Sequence, residues 1–268
     1  MMETINPQNP PKPCEVFDLI GGTSTGGLIA IMLGRLEMGI QEAIDAYLEF
    51  STSIFRPKRK KVALLARVAD VLKTTGRFDT ENFEKCIKRI VNERLGDENA
   101  LLIQDGNSTC KVFVCAIRRE NAQPVFLRSY HSSHGHEVSC TIWEACRATA
   151  AATSLFEPIK IGQFNEEFVD GATGFNNPVN EVLLEARDLW PETILSSNVA
   201  CLVSIGTGLR SNSSFGPSVM QVGRTLLRIA VETEKTAERF HRAYPTLVSE
   251  NKYFRFNVQK GARRCWTS

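Results

Sequence analysis

Several features that would assign a function at once are missing from this chain. No apolar run reaches the roughly 18 to 20 residues that a helix needs to cross a bilayer. The formal net charge is only +2, so no excess of charge points to nucleic acid as a partner. The glycine-rich residues 21–27 are not followed by Gly-Lys-Ser or Gly-Lys-Thr, which disfavours a phosphate-binding loop of the Walker type.

Ligand spacings that are typical of metal sites are missing as well. The chain has eight cysteines and four histidines, but no C-x-x-C pair and no pair of histidines at ligand spacing. Most cysteines, such as Cys115 and Cys201, stand in apolar surroundings. We therefore expect buried free thiols in a reducing compartment, which predicts a cytoplasmic protein and disfavours a zinc site.

The length sets the domain organisation only coarsely. A chain of 268 residues, 43% of them apolar, can form one large globular domain or two small ones. Residues 1–13 are polar and rich in proline, which predicts a disordered or linker segment and not a targeting signal.

The basic stretch Arg56–Lys61 is typical of a solvated loop, but it would also attract anionic lipid head groups and allow peripheral membrane contact. The oligomeric state does not follow from the sequence.

Strand-like and helix-like segments alternate along the chain, separated by strong turn signals. Helices are predicted near residues 41–51, 62–72, 80–95, 141–151 and 218–242, and strands near residues 16–20, 111–117, 124–129, 199–205 and 254–258. Such an alternation, with apolar strand cores, favours a three-layer α/β/α fold with a mostly parallel sheet. In these folds, functional sites gather at the carboxyl ends of the strands.

The most informative motif is a G-x-S-x-G pattern. It consists of Gly22, Thr23, Ser24, Thr25 and Gly26. An apolar run precedes it and a helix-like run follows, which is the strand–turn–helix context of a nucleophile elbow. Glycines on both sides permit a sharp turn, and the free N–H groups of the following helix would face any anion formed there. The competing interpretation is a glycine-rich turn that packs closely or cradles a phosphate.

A serine hydroxyl becomes a good nucleophile only when a base removes its proton. One candidate base is Asp170, which lies in the tight turn of residues 168–172 (FVDGA) after an apolar pair. An Asp-Gly turn is common in proteins, so this observation alone leaves Asp170 open between a structural and a catalytic role.

The histidines are weaker candidates for the base. They are His131, His134, His136 and His241. The first three share a loop that is typical of a solvated connection, and the fourth lies among charged residues near the end of a predicted helix. The chain order of serine, aspartate and His241 still permits an ordinary Ser-His-Asp hydrolase as an alternative.

Four stretches in order resemble the patatin-like phospholipases, and most closely the patatin-like domains of large fungal proteins. They are residues 17–27 (FDLIGGTSTGG), 146–158 (CRATAAATSLFEP), 168–178 (FVDGATGFNNP) and 203–208 (VSIGTG). The first is similar to the nucleophile motif of the family, and the third to its Asp-Gly-Gly/Ala segment, here Asp170, Gly171 and Ala172. The resemblance begins at about residue 13, so the domain would span residues 14–268.

The resemblance implies a serine–aspartate dyad without a catalytic histidine. Ser24 would be the nucleophile and Asp170 the base of a lipid acyl hydrolase that works through an acyl-enzyme in lipid catabolism. Phospholipids, galactolipids or neutral glycerides would be its substrates, and it would need neither a metal nor an organic cofactor.

The chain departs from the family pattern at its beginning. The family opens with a strand and an Asp-Gly-Gly-Gly-x-Arg-Gly loop that supplies oxyanion donors, but no glycine occurs before Gly21. We therefore expect a sheet without its first strand and weak activity, because losing one oxyanion donor costs about 100- to 1000-fold in rate. The Thr25 backbone N–H would remain as a donor by general elbow geometry. The alternative is a catalytically impaired module for lipid sensing or interaction within a larger protein.

Overall fold

The computed structural model describes residues 1–54, 80–104, 106, 108–132, 137–152, 156–191, 198–208 and 233–258. The chain divides into two compact units, Met1–Gly171 and Ala172–Ser268. The helix predicted near residues 62–72, most of the helix predicted near 218–242 and the basic stretch Arg56–Lys61 lie outside the described residues. No helix in the described part of the chain is both long and apolar enough to cross a bilayer.

The first unit contains six helices and five strands among its described residues. The helices are α1 (Met2–Ile5), α2 (Pro13–Val16), α3 (Thr25–Ala30, continued by a π-helical turn at Ile31–Arg35), α4 (Ile40–Ile54), α5 (Thr80–Leu95) and α6 (Ile142–Thr149). The strands are β1 (Leu19–Thr23), β2 (Lys111–Arg118), β3 (Pro124–Arg128), β4 (Ile159–Ile161) and β5 (Glu166–Asp170). Thr141 caps α6 by accepting a hydrogen bond from the Glu144 N–H, as its sequence context predicts.

The amino-terminal segment, for which composition predicts a disordered or linker segment, contains a short helix and a local turn. Helix α1 occupies Met2–Ile5, and the Met2 side chain is buried. The Asn6 side chain accepts hydrogen bonds from the N–H groups of Gln8 and Asn9, which forms a local turn. Burial of one apolar side chain and these short-range bonds give the segment a defined backbone, which composition alone does not reveal.

The sheet confirms the α/β class, with helices on both sides, but it is mixed and not mostly parallel. Strands β1 and β2 are parallel, whereas β2–β3, β2–β5 and β4–β5 are antiparallel. Short turns join β2 to β3 and β4 to β5. Connections this short can join only antiparallel neighbours, because a parallel pair needs a crossover of a dozen or more residues.

Two strands share one edge of β2 and meet end to end. Strand β1 pairs with residues 111–115 of β2, and β5 pairs with residues 116–118. Strand β3 pairs with residues 113–117, which overlap both, so it must occupy the opposite edge. Strand β1 therefore ends opposite Cys115 and β5 ends opposite Ala116, on the same edge. The residues that follow β1 and finish β5 are brought together by this arrangement.

The core of the first unit lies between the sheet and its helices. Val112, Val114 and Ala116 point from one face of β2 into this core. Helix α5 contributes the apolar stripe that its sequence predicts, namely Phe83, Ile87, Ile90 and Val91. This stripe confirms the helical period of residues 80–95.

The second unit contains helix α7 (Val179–Leu189), strand β6 (Leu202–Ile205), a helical segment at residues 233–243, helix α8 (Pro245–Ser249) and strand β7 (Tyr253–Phe256). Strands β6 and β7 are parallel neighbours. The sequence predicts that β6 is buried on both faces, but Ile205 is 78% exposed and Cys201 is also exposed. Within this unit the small core covers one side only, where Leu202 packs with Phe240 and Leu247.

Candidate active site

Ser24 occupies a strained backbone position between β1 and α3. Its φ is 56° and its ψ is −128°, a region that costs a residue with a side chain about 1–3 kcal/mol. A Cβ atom at Gly22 would collide with the backbone carbonyl of Gly26, so the turn closes only with glycine there. The Ser24 carbonyl accepts hydrogen bonds from the N–H groups of Gly27 (2.9 Å) and Leu28 (3.1 Å). The serine thus stands at the point where the strand turns into the helix.

The Ser24 hydroxyl and the Asp170 carboxylate are in direct contact. Ser24 Oγ donates a hydrogen bond to Asp170 Oδ2 at 2.6 Å, across 146 positions of sequence. Asp170 is only 6% exposed, and its N–H donates to the Ala151 carbonyl at 3.1 Å. A hydroxyl donor and a carboxylate acceptor this close form a strong, charge-assisted hydrogen bond.

Gly171 explains why the chain can pass so close to β2 directly after the aspartate. A Cβ atom at this position would lie 2.7 Å from the Cys115 carbonyl oxygen, closer than side chains pack. Residues 171–173 then form a short 3-10 helix, which leads the chain away from the end of β5. The Asp-Gly turn therefore has a packing reason in addition to its turn propensity.

Thr149, at the end of α6, is a site residue that sequence reasoning did not single out. Its Oγ1 accepts a hydrogen bond from the Ser24 N–H at 2.9 Å and donates one to the Cys115 carbonyl at 2.8 Å. The side chain is fully buried. A polar residue near the end of an alanine-rich helix, within the stretch 146–158, was the only available signal.

Thr25, the predicted oxyanion donor, directly follows the serine in the chain. Thr25 is the first residue of α3, and its N–H immediately follows the serine. The N–H groups in the first turn of a helix have no acceptor within that helix, so they can face an incoming anion. The role of Thr25 remains a prediction.

The described histidines contribute no imidazole to the contact between the serine and the aspartate. His131 is largely exposed, and its Nδ1 lies 3.0 Å from Glu137 Oε1. His241 is exposed on the helical segment of the second unit, and the other two histidines lie outside the described residues.

The described cysteines are free thiols, and most of them are buried. Burial raises the pKa of the Cys110 thiol to about 12 and also raises the pKa of the Cys140 and Cys146 thiols, so they are protonated at neutral pH. Two cysteines depart from the expected burial, since Cys86 is half-buried and Cys201 is exposed. In the part of the chain that the structure describes, no group of three histidine, cysteine or acidic side chains is arranged to hold a metal ion.

The second unit holds a polar cluster that includes a buried serine. Ser204 Oγ donates to Asn177 Oδ1 at 3.1 Å and accepts from Arg255 Nη1 at 2.9 Å. The Glu234 carboxylate accepts hydrogen bonds from Arg255 Nη2 (2.6 Å) and Asn257 Nδ2 (2.7 Å). These hydrogen bonds join β6, β7 and the helical segment.

Comparison with known proteins places these features in a family. The family model described as patatin-like phospholipase matches residues 9–183, more than half of the chain. Calcium-independent phospholipase A2-gamma of Mus musculus is 26% identical over 254 residues, which are 91% of this chain. Phospholipase A I of Arabidopsis thaliana is 28% identical over 297 aligned residues, which also cover 91% of this chain.

These relatives are much longer than the region they share with this chain. The match covers 30% of the mouse protein and 22% of the first Arabidopsis protein. A further relative, the probable inactive patatin-like protein 9 of Arabidopsis thaliana, is 26% identical over 75% of this chain and 52% of its own length. The chain therefore spans less than a third of the first two relatives.

Proposed function

The chain belongs to the patatin-like phospholipase family, and on this premise we propose that it is a lipid acyl hydrolase with a Ser24–Asp170 dyad. The observation that carries the proposal is the 2.6 Å hydrogen bond from Ser24 Oγ to Asp170 Oδ2 at a strained elbow. The substrate class is a lipid ester, as the names of the two phospholipase relatives suggest.

The proposed reaction has two halves that use the same two side chains. Asp170 Oδ2 takes the hydroxyl proton of Ser24 while Oγ attacks the carbonyl carbon of the ester. The proton then passes to the oxygen of the leaving alcohol, and the acyl group stays on Ser24. In the second half, Asp170 takes a proton from water as the water attacks the acyl-enzyme, and it returns that proton to Ser24.

The surroundings of the dyad support this use. The negative charge of the tetrahedral intermediate would form close to the Thr25 N–H and the positive end of the α3 dipole. Oγ and Oδ2 are 2.6 Å apart, so the proton can pass directly from one to the other, and Asp170 is held by its own backbone hydrogen bond to Ala151. No step of the reaction needs an imidazole.

Hydrolysis of a short-chain p-nitrophenyl ester, together with labelling by a fluorophosphonate probe, tests the proposal. We expect the full chain to hydrolyse the ester, though weakly because it lacks the glycine-rich oxyanion loop, and to be labelled at Ser24. Replacement of Ser24 by alanine should lower the hydrolysis rate at least ~1000-fold, because the nucleophile is removed. A Ser24→Ala variant as active as the parent chain would overturn the proposal.

Replacement of His241 separates the dyad from the alternative Ser-His-Asp mechanism. We expect the His241→Ala variant to retain the activity of the parent chain. A loss as large as that of Ser24→Ala would assign the base to the histidine. A parent chain that binds phospholipid vesicles but neither hydrolyses esters nor reacts with the probe would instead be an impaired lipid-binding module.

A further inference from the structure

The hydroxyl of Thr149 connects the backbone of Ser24, which follows β1, to the backbone of Cys115 in β2. It accepts a hydrogen bond from the Ser24 N–H at 2.9 Å and donates one to the Cys115 carbonyl at 2.8 Å. A threonine hydroxyl has a single hydrogen to donate. Because that hydrogen points to Cys115, the oxygen lone pairs are free to accept from Ser24, so the direction of both bonds is settled.

The pairing of β1 with β2 shows what this connection replaces. The Lys111 N–H donates to the Asp18 carbonyl at 2.8 Å, so every second residue from Lys111 onward, including Cys115, turns its polar backbone groups towards β1. Cys115 is registered with Thr23. In a continued parallel ladder its carbonyl would accept directly from the N–H of the next residue, Ser24.

The Thr149 oxygen stands between these two groups. It keeps the hydrogen-bonding capacity of the Ser24 N–H and the Cys115 carbonyl satisfied while it holds them one oxygen atom further apart than a ladder would. This separation allows Ser24 to leave the strand, adopt its φ of 56° and aim Oγ at Asp170. An unsatisfied buried N–H would cost about 1–3 kcal/mol, which would work against the strained turn.

The packing of Thr149 leaves its hydroxyl no alternative position. The side chain is fully buried, and a Cβ atom on Gly27 would lie 2.7 Å from both its Cγ2 and its Oγ1. The first turn of α3 therefore packs directly against the threonine. The Thr149 side chain, on helix α6, therefore contacts both the elbow and strand β2.

We propose that Thr149 is a positioning residue for the nucleophile: its hydroxyl acts as a spacer in the last rung of the β1–β2 ladder and holds the Ser24 backbone in the conformation that points Oγ at Asp170. The proposal rests on the proposed function of Ser24. It assigns the effect to the hydroxyl of Thr149 and not to its methyl group.

Two substitutions separate the hydroxyl from the methyl group. Thr149→Val keeps the shape and removes the hydroxyl, whereas Thr149→Ser keeps the hydroxyl and removes the methyl. We expect kcat for the short-chain ester to fall about 10- to 100-fold in the valine variant, since small displacements of reacting atoms have effects of this size, with KM changed less than about threefold. The serine variant should stay within about threefold of the parent kcat.

A merely structural role would give the opposite order. If Thr149 only filled the core, the serine variant would be the more damaged one and the valine variant would keep the parent kcat. That result overturns the proposal. Should the valine variant fail to fold, Thr149→Ser is compared with Thr149→Ala, which differ by the hydroxyl alone, and equal kcat values would again overturn it.

A measurement without turnover distinguishes failure of this proposal from failure of the proposed function. The Ser24 amide, followed by NMR hydrogen exchange, should exchange at least ~10-fold faster in the valine variant than in the serine variant, because its acceptor is gone. Equal exchange rates of the Ser24 amide in the two variants would contradict the spacer role of the Thr149 hydroxyl. If the Ser24 amide exchanges slowly in a parent chain that shows no Ser24-dependent hydrolysis, the spacer role of Thr149 is supported. The proposal that the chain is a lipid hydrolase is then rejected.

Discussion

Ser24 in the first unit and Ser204 in the second are both at strands and both contact polar side chains, but they face opposite kinds of partner. Ser24 Oγ donates to a carboxylate oxygen of Asp170. Ser204 Oγ donates to the neutral amide oxygen of Asn177 and accepts from the guanidinium of Arg255. Ser24 can give its proton to a carboxylate base. The proton of Ser204 instead faces a neutral amide oxygen, and its lone pair accepts from a cation.

The two carboxylates differ in the same way. Glu234 accepts from the positively charged Arg255 and from Asn257, so its charge is compensated within a structural cluster. Asp170 accepts from a hydroxyl that carries no charge. A buried serine is thus no sign of catalysis by itself, and under the proposed function the two serines differ in the charge of the group that accepts their proton.

The largest expected effect comes from removing the base and keeping its shape. We expect Asp170→Asn to lower kcat/KM for a short-chain ester at least ~1000-fold, because an amide cannot take the proton of Ser24. Ser204→Ala is the matched control and should change kcat/KM by less than about fivefold, since the proposed chemistry does not use that serine. Comparable losses of kcat/KM in both variants would contradict the proposed difference in role between Ser24 and Ser204.

An intermediate effect is expected from adding one methyl group to the elbow. A Cβ atom on Gly27 would overlap Thr149, whereas one on Gly26 meets nothing within 4 Å. We therefore expect Gly27→Ala to reduce the rate of fluorophosphonate labelling about 10- to 100-fold, and Gly26→Ala to reduce it less. Equal labelling rates in the two variants would show that the packing of the elbow against α6 does not position the nucleophile.

The smallest effect on catalysis, with a clear effect on stability, is expected in the second unit. Arg255→Met should lower the free energy of unfolding by about 1–3 kcal/mol, because Glu234 and Ser204 lose a charged hydrogen-bond donor in a largely buried setting. Adding Glu234→Gln should recover part of this loss, since the uncompensated charge is then removed. Urea unfolding measures both values. An Arg255→Met variant as stable as the parent chain would mean that the cluster contributes nothing to the free energy of unfolding.

Local patterns in the sequence predict the longer elements of the first unit, but not α1, α2, β4 or β5. The apolar stripe of residues 80–95 follows a helical period that is set within one element, so it survives any tertiary arrangement. The same holds for the cap at Thr141 and for the paired strands around residues 111–128. The sequence also predicts a mostly parallel sheet, which holds for β1 with β2 but not for β2 with β5 or β4 with β5, because a residue pattern does not record which strand lies beside which.

Exposure was harder to predict than element type. The apolar run around Cys201 and Ile205 is typical of a buried strand, yet both residues are exposed. A strand is buried on both faces only when other layers cover it, and in the second unit the core around Leu202 covers one side. Composition therefore predicted the strand but not its surroundings.

The sequence by itself determined the elbow, because glycines around Ser24, an apolar run before it and a helix-forming run after it constrain the backbone within a dozen residues. It also indicated Asp170 through resemblance. Only the tertiary structure decided that their side chains meet, since β1 and β5 must end at neighbouring residues on one edge of β2. The same holds for Thr149, whose hydroxyl joins groups 125 and 34 positions away, because such contacts follow from strand register and helix packing, which no local pattern encodes.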